Sequence, residues 1–258
     1  MTTVNPELPI EDNVHKAVLT KIPFTSSRGK HHARNAVHSL EMAWRIRHID
    51  PEIAAFRCIH AEEEAAAALF HALVFKKYSG ASRLGWKNHR HKAALQPYFD
   101  VVVQALRSTT YNATFTMSWR PDIPGHGFLL GVTTESATGD KQHYTVLEPL
   151  SFSTRADGTE EHFAPHFESL ASRANAESVR HFISELTVER NRALYATHRG
   201  IPKYVGNIDE CILARRDRVF RVLAIFVLVI FEREPQAFVQ QALQSFLEVL
   251  GLLGDASC

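Results

Sequence analysis

Three consecutive glutamates, Glu62 to Glu64, interrupt a run rich in alanine and leucine, CIHAEEEAAAALFHAL, between Cys58 and Leu73. The run lies within Asp50 to Tyr78, which reads as one helix: Asp50 can cap it, Pro51 suits the first helical position, and Ala, Leu and Glu then dominate. At about 100° per residue, Ala55, Phe56, Ile59, Ala66, Phe70, Leu73 and Val74 share one side. Glu63 falls in the middle of that apolar stripe, Glu62 at its edge and Glu64 well round the helix. A carboxylate so placed needs a partner, a proton or a cavity, because desolvating it alone costs several kcal/mol. Whatever fold the chain adopts must answer Glu63.

The remaining chain has the composition of an ordinary globule: 258 residues, 45% hydrophobic, 22% charged. A net charge of +1 gives no bulk attraction to nucleic acid or to an anionic membrane, so any such contact depends on a local patch. The three cysteines, Cys58, Cys211 and Cys258, show no CxxC spacing, which argues against a zinc ribbon or a disulfide scaffold and fits a reducing cytoplasm. The N-terminal segment lacks a basic stretch followed by an apolar one, so no signal peptide is expected. The apolar run from Val219 to Phe231 contains Arg221 and is shorter than the roughly 20 residues a bilayer requires; it predicts a buried helix and no membrane association.

The pattern predicts a mainly α protein, an antiparallel helical bundle with a small antiparallel β-sheet insertion. Residues 1–24 read as an N-terminal arm and 25–108 as the first half of the bundle. In that half, a helix from His31 to Ile49 turns through a short link into the glutamate helix as its antiparallel neighbour. A short helix over Trp86 to Leu95 and another from Pro97 to Leu106 follow. Residues 109–153 change character: ATFTMSW, GFLLGVTTE and HYTVLEPLSF, separated by turn-rich PDIPGHG and SATGDK, predict a three-stranded meander. Residues 154–258 form the second half, with helices over Pro165 to Thr197, Ile208 to Phe231 and Pro235 to Leu253.

In the first of these, Val179, Phe182, Ile183, Leu186, Ala193 and Thr197 share a side, with Arg190 among them. A guanidinium on one apolar stripe is a natural partner for a carboxylate on another, so Arg190 is expected to meet Glu63 and hold it as an organiser of the site. As a purely structural element, that pair would fix helix register. The basic runs ARRDRVFR and KNHRHK are candidate phosphate contacts, or simply solvated faces.

The segments HARNAVHSLEMA, IAAFRCIHAEEEAAAALFHAL and ERNRALYATHRGIP together resemble the HEPN superfamily, particularly its abortive-infection V-like members, over roughly residues 31–77 and 168–232. Many HEPN proteins are dimeric helical bundles that cleave RNA without a metal, with an Arg followed four to six residues later by a His. The resemblance implies an endoribonuclease of a defence or toxin system that requires no cofactor and acts on RNA as a homodimer. Arg192 and His198 would stabilise phosphate charge and transfer protons, with Arg190, Asn191, Glu63 and Tyr195 in support. The ribose 2′-hydroxyl supplies the nucleophile in that chemistry. One alternative is a non-catalytic dimeric module that pairs through the Val219 to Phe231 helix and binds a protein partner through the β insertion. Another is a helical metal protein of di-iron type, for which the Glu-x-x-His spacing is missing from the helical segments.

Overall fold

The computed structural model describes residues 7–109, 114–122, 127–135, 139–146, 149–150, 163–192 and 203–251. Eight helices are present among them: α1 (Asn13–Lys21), α2 (Gly29–Ile46), α3 (Pro51–Phe75), α4 (His89–Thr109), α5 (Ala164–Arg173), α6 (Val179–Arg192), α7 (Ile208–Phe231) and α8 (Ala237–Gly251). Three strands, β1 (Thr114–Trp119), β2 (Phe128–Glu135) and β3 (Lys141–Val146), follow α4 in the chain and form an antiparallel meander in the order β1-β2-β3, with Met117 opposite Leu130 and Leu130 opposite Val146. The mainly α architecture with a small sheet is as the sequence predicts.

The centre of the molecule is α3, which packs against α2, α7 and α4. Its start is set by Asp50, whose side chain accepts a hydrogen bond from the Ile53 amide at 2.9 Å, and by Pro51 at the first turn. The buried positions Ala54, Cys58, Ala61, Ala65, Ala68 and Ala72 repeat at alternating intervals of four and three, and α2 answers with Gly29, Ala33, Ala36, Leu40 and Ala43. Small residues on both sides let the two helices approach closely. Gly29 marks the tightest point: a Cβ there would lie 2.5 Å from the Ala68 carbonyl oxygen and 2.8 Å from the Phe226 ring. Gly29→Ala should therefore destabilise the fold by about 2 kcal/mol through overpacking, despite alanine's better helix propensity; chemical denaturation measures it.

The alanine seam shifts the inward face of α3 from the expected stripe. Ala55, Phe56 and Ile59 are half-buried and Val74 is 47% exposed, whereas Ala61, Ala65 and Leu69 are buried. The reason is that α3 is enclosed by three neighbours, so a single apolar side cannot describe it. Glu63 lies on the side facing α4.

Several other expectations are corrected. The N-terminal stretch is no bare arm: α1 is capped by Asp12, whose carboxylate accepts from the Val14 and His15 amides, and buries Ala17 and Val18 against the bundle. Residues 89–109 form one helix that runs through Pro97 instead of two helices divided there. The helices predicted from Pro165 divide after Arg173, where Asn175 takes a left-handed conformation (φ 55°) that asparagine tolerates better than most residues.

The α7 helix spans Ile208 to Phe231 as predicted, but its apolar side chains are spent inside the protomer. Val219, Phe220, Val222, Leu223 and Phe226 to Val229 are each fully buried, so this helix offers no continuous apolar face to a second copy. Among the described residues no helix is long and apolar enough to cross a membrane.

Candidate functional site

The three glutamates project to three neighbouring helices. One residue advances the helix by 100°, so consecutive side chains fan through about 200° and can reach α7, α4 and α2 in turn. Glu62 receives Arg215 of α7 at 2.7 Å, with Arg218 at 3.7 Å. Glu63, with its side chain only 6% exposed, meets His89 Nδ1 at 2.9 Å and Lys92 Nζ at 3.3 Å, both from the first turn of α4. Glu64 accepts from Asn35 Nδ2 at 2.8 Å and pairs with His32 Nδ1 at 3.1 Å, both from α2. One tripeptide thus joins four helices.

Around the last two glutamates lies an imidazole-rich edge. His32 stacks on His71 of α3 with ring centroids 5.0 Å apart, and Trp86 in the loop before α4 closes on both, at 5.6 and 5.1 Å. Lys87 sits 4.9 Å from the Trp86 ring, and the exposed Arg28 lies close enough to help lower the pKa of His71. On the neighbouring turn of α3, His60 Nε2 stands 3.3 Å from Asn35 Nδ2. Trp86 is 40% exposed and the His89 side chain 43%, so polar and aromatic groups here are open to a ligand.

Burial lowers the pKa of His71, with the His32 and Arg28 charges acting in the same direction, which leaves a neutral imidazole ready to accept a proton near pH 7. For Glu64, burial pushes the pKa up, but the hydrogen bonds from His32 and Asn35 and the His32 and His60 charges together outweigh it and hold the carboxyl at about 2. A carboxylate depressed below its unfolded value of roughly 4.3 adds stability above that pH and loses it as pH falls towards 2. Glu64→Gln should therefore cost about 1.5 kcal/mol near pH 6 and nothing near pH 2, with the two proteins' denaturation midpoints converging between those values.

His89 with Glu63 and His32 with Glu64 repeat one device: a carboxylate fixes the ring through Nδ1 and leaves Nε2 outside that bond. Such pairs orient an imidazole for acid–base chemistry. Among the described residues no group of three or more His, Cys, Asp or Glu is arranged to hold a metal ion.

Of the residues singled out in the sequence, Glu63 is buried and, among the described contacts, meets His89 and Lys92. Tyr195 and His198 lie outside the described residues, as do the side chains of Arg190, Asn191 and Arg192 at the end of α6. That helix packs on α4 and α5. The basic run ARRDRVFR is largely consumed by pairing inside the protein: Arg215 and Arg218 on Glu62, Arg216 on Asp217, and Arg221 on Asp100. By contrast KNHRHK supplies Lys87, His89 and Lys92 to the site. His32, His71 and Trp86 carried no local signal beyond their residue types.

On the opposite side of α3, a cavity of about 870 Å³ lies between α1, α4, α7, α8 and the sheet. No family model, curated protein or solved structure matches the chain.

Proposed function

We propose that the chain is a HEPN-like, metal-independent endoribonuclease of a defence or toxin system, acting on RNA as a homodimer. The observation that supports this reading is the edge where His32, His71 and Trp86 meet within reach of the Arg28 charge, with two imidazoles held by Glu63 and Glu64. RNA carries its own nucleophile, so cleavage needs one group to take the 2′-hydroxyl proton, one to protonate the departing 5′-oxygen, and positive charge on the phosphate between them. His71, neutral near pH 7, is assigned the first role; His32, its ring fixed by Glu64, the second; and Arg28 the third. Trp86 offers a face on which a base can stack. Arg192 and His198, with Arg190, Asn191 and Tyr195 beside them in sequence, are the rival carriers that the family resemblance names for the same roles.

The test is cleavage of single-stranded RNA in excess EDTA by the purified protein, repeated with His32→Ala and with His198→Ala. Cleavage abolished by His32→Ala supports the edge described here. Loss only with His198→Ala moves the chemistry to the end of α6, and no cleavage by the wild-type protein rejects the enzymatic reading. The large apolar cavity favours one second reading, a non-catalytic module that responds to a bound ligand. That reading requires a folded protein without ribonuclease activity.

A further inference from the structure

The cavity on the far side of α3 is lined chiefly by apolar groups from seven elements, among them Phe70 and Leu73 of α3, Tyr98 of α4, Met117 of β1, Phe220 of α7 and Leu243 of α8. Protein interiors pack to the density of organic crystals and leave few voids larger than a water molecule. The space of about 870 Å³ among these side chains opens to solvent at one side, and its size falls within the roughly 300–1,000 Å³ typical of small-molecule sites.

Among the described residues, the charged groups on its wall are Asp12, Asp100, Asp217 and Arg221, together with His15. Arg221 pairs with Asp100 at 2.7 Å, and both side chains are about half-exposed, which places this pair at the rim. His15 stacks on Phe220 with centroids 4.3 Å apart, and burial lowers its pKa, so it adds an uncharged ring to the wall at neutral pH. Among the described lining residues Asp100 is paired with Arg221 and Asp217 with Arg216, so Asp12 is the unbalanced charge and leaves the lining acidic. An anionic head brought here would meet repulsion, and a rim guanidinium already occupied by Asp100 offers it little.

We propose that this cavity binds an apolar small molecule with an uncharged or cationic head, of the long-chain alcohol or amine class, and discriminates against anionic amphiphiles such as fatty acids. The site is separate from the imidazole edge and does not depend on the ribonuclease reading. The apolar body would occupy the space between α4, α7 and α8, and the head would sit at the Asp100–Arg221 rim.

The experiment uses the full chain and the uncharged fluorophore N-phenyl-1-naphthylamine, displaced in turn by dodecanol, dodecylamine and dodecanoate. Saturable fluorescence enhancement is expected, with dodecanoate displacing the probe at least tenfold more weakly than the other two. Ala242→Trp and Val103→Trp fill the cavity from two different helices, so each should abolish probe binding while circular dichroism confirms the fold; two variants guard against one failing to fold. Asp12→Asn keeps the helix cap and removes one carboxylate, so it should narrow the dodecanoate penalty. The proposal is overturned by absence of saturable binding, by binding unchanged in a folded filling variant, or by dodecanoate competing as well as dodecanol.

Discussion

Glu63→Ala is expected to destabilise the protein by about 3–5 kcal/mol, an effect comparable to much of the stability of a typical domain. The cost does not come chiefly from losing an attraction. Lys92 is 8% exposed and lies 3.3 Å from the Glu63 carboxylate, so removing the carboxylate leaves an ammonium desolvated without its anion. His89, more exposed, can turn to water; Lys92 cannot do so without disturbing the start of α4. Replacing both members, as in Glu63→Leu with Lys92→Leu, removes the desolvation penalty along with the attraction, and that double variant should fall within about 1 kcal/mol of wild type or exceed it. Urea denaturation at constant slope measures both. A Glu63→Ala cost below 1 kcal/mol would mean that the carboxylate is not held in the interior as described.

The second large effect concerns activity. If proton transfer runs through the α2–α3 edge, His71→Ala and His32→Ala should each lower kcat/KM for RNA by about 10²–10⁴, the usual contribution of a positioned acid or base. Arg28→Ala should lower it by a comparable factor through lost phosphate stabilisation. Trp86→Ala should act mainly on binding, since stacking of a base is worth about 1–3 kcal/mol. The pH profile separates these chemical roles from a structural one. Burial lowers the pKa of His71, so activity needing its neutral form should persist to lower pH than an unperturbed histidine near 6.5 would allow, and that limb should move in Arg28→Ala. A histidine that merely packs would leave the profile in place.

Much of the architecture was readable in the residues, and the parts that were not share a cause. The α7 helix and the three strands announce themselves by local pattern: a long apolar run interrupted only by Arg221 in one case, Thr- and Val-rich segments parted by glycine and proline in the other. The short α1 lacks a strong pattern of its own and is fixed by burial against the bundle and by Asp12. Pro97 reads as a helix start, but a packed helix can absorb one missing hydrogen bond, and α4 passes through it. Asn175 ends α5 with a left-handed residue, which glycine would have advertised more clearly.

Each member of the glutamate triplet reaches a different helix. Periodicity could say that Glu63 points inward, yet not that its described partners begin α4, because that depends on how three helices enclose a fourth. The same limit applies to the imidazole edge. His32, His71 and Trp86 belong to separate elements and meet only through tertiary packing.

The most direct measurement is the chemistry of the RNA ends after incubation with purified protein in excess EDTA. Transesterification by the RNA's own hydroxyl predicts 2′,3′-cyclic phosphate and 5′-hydroxyl termini, detected by mass spectrometry and lost in His32→Ala. Intact RNA under these conditions, or fragments that carry 3′-hydroxyl and 5′-phosphate ends, would contradict the account.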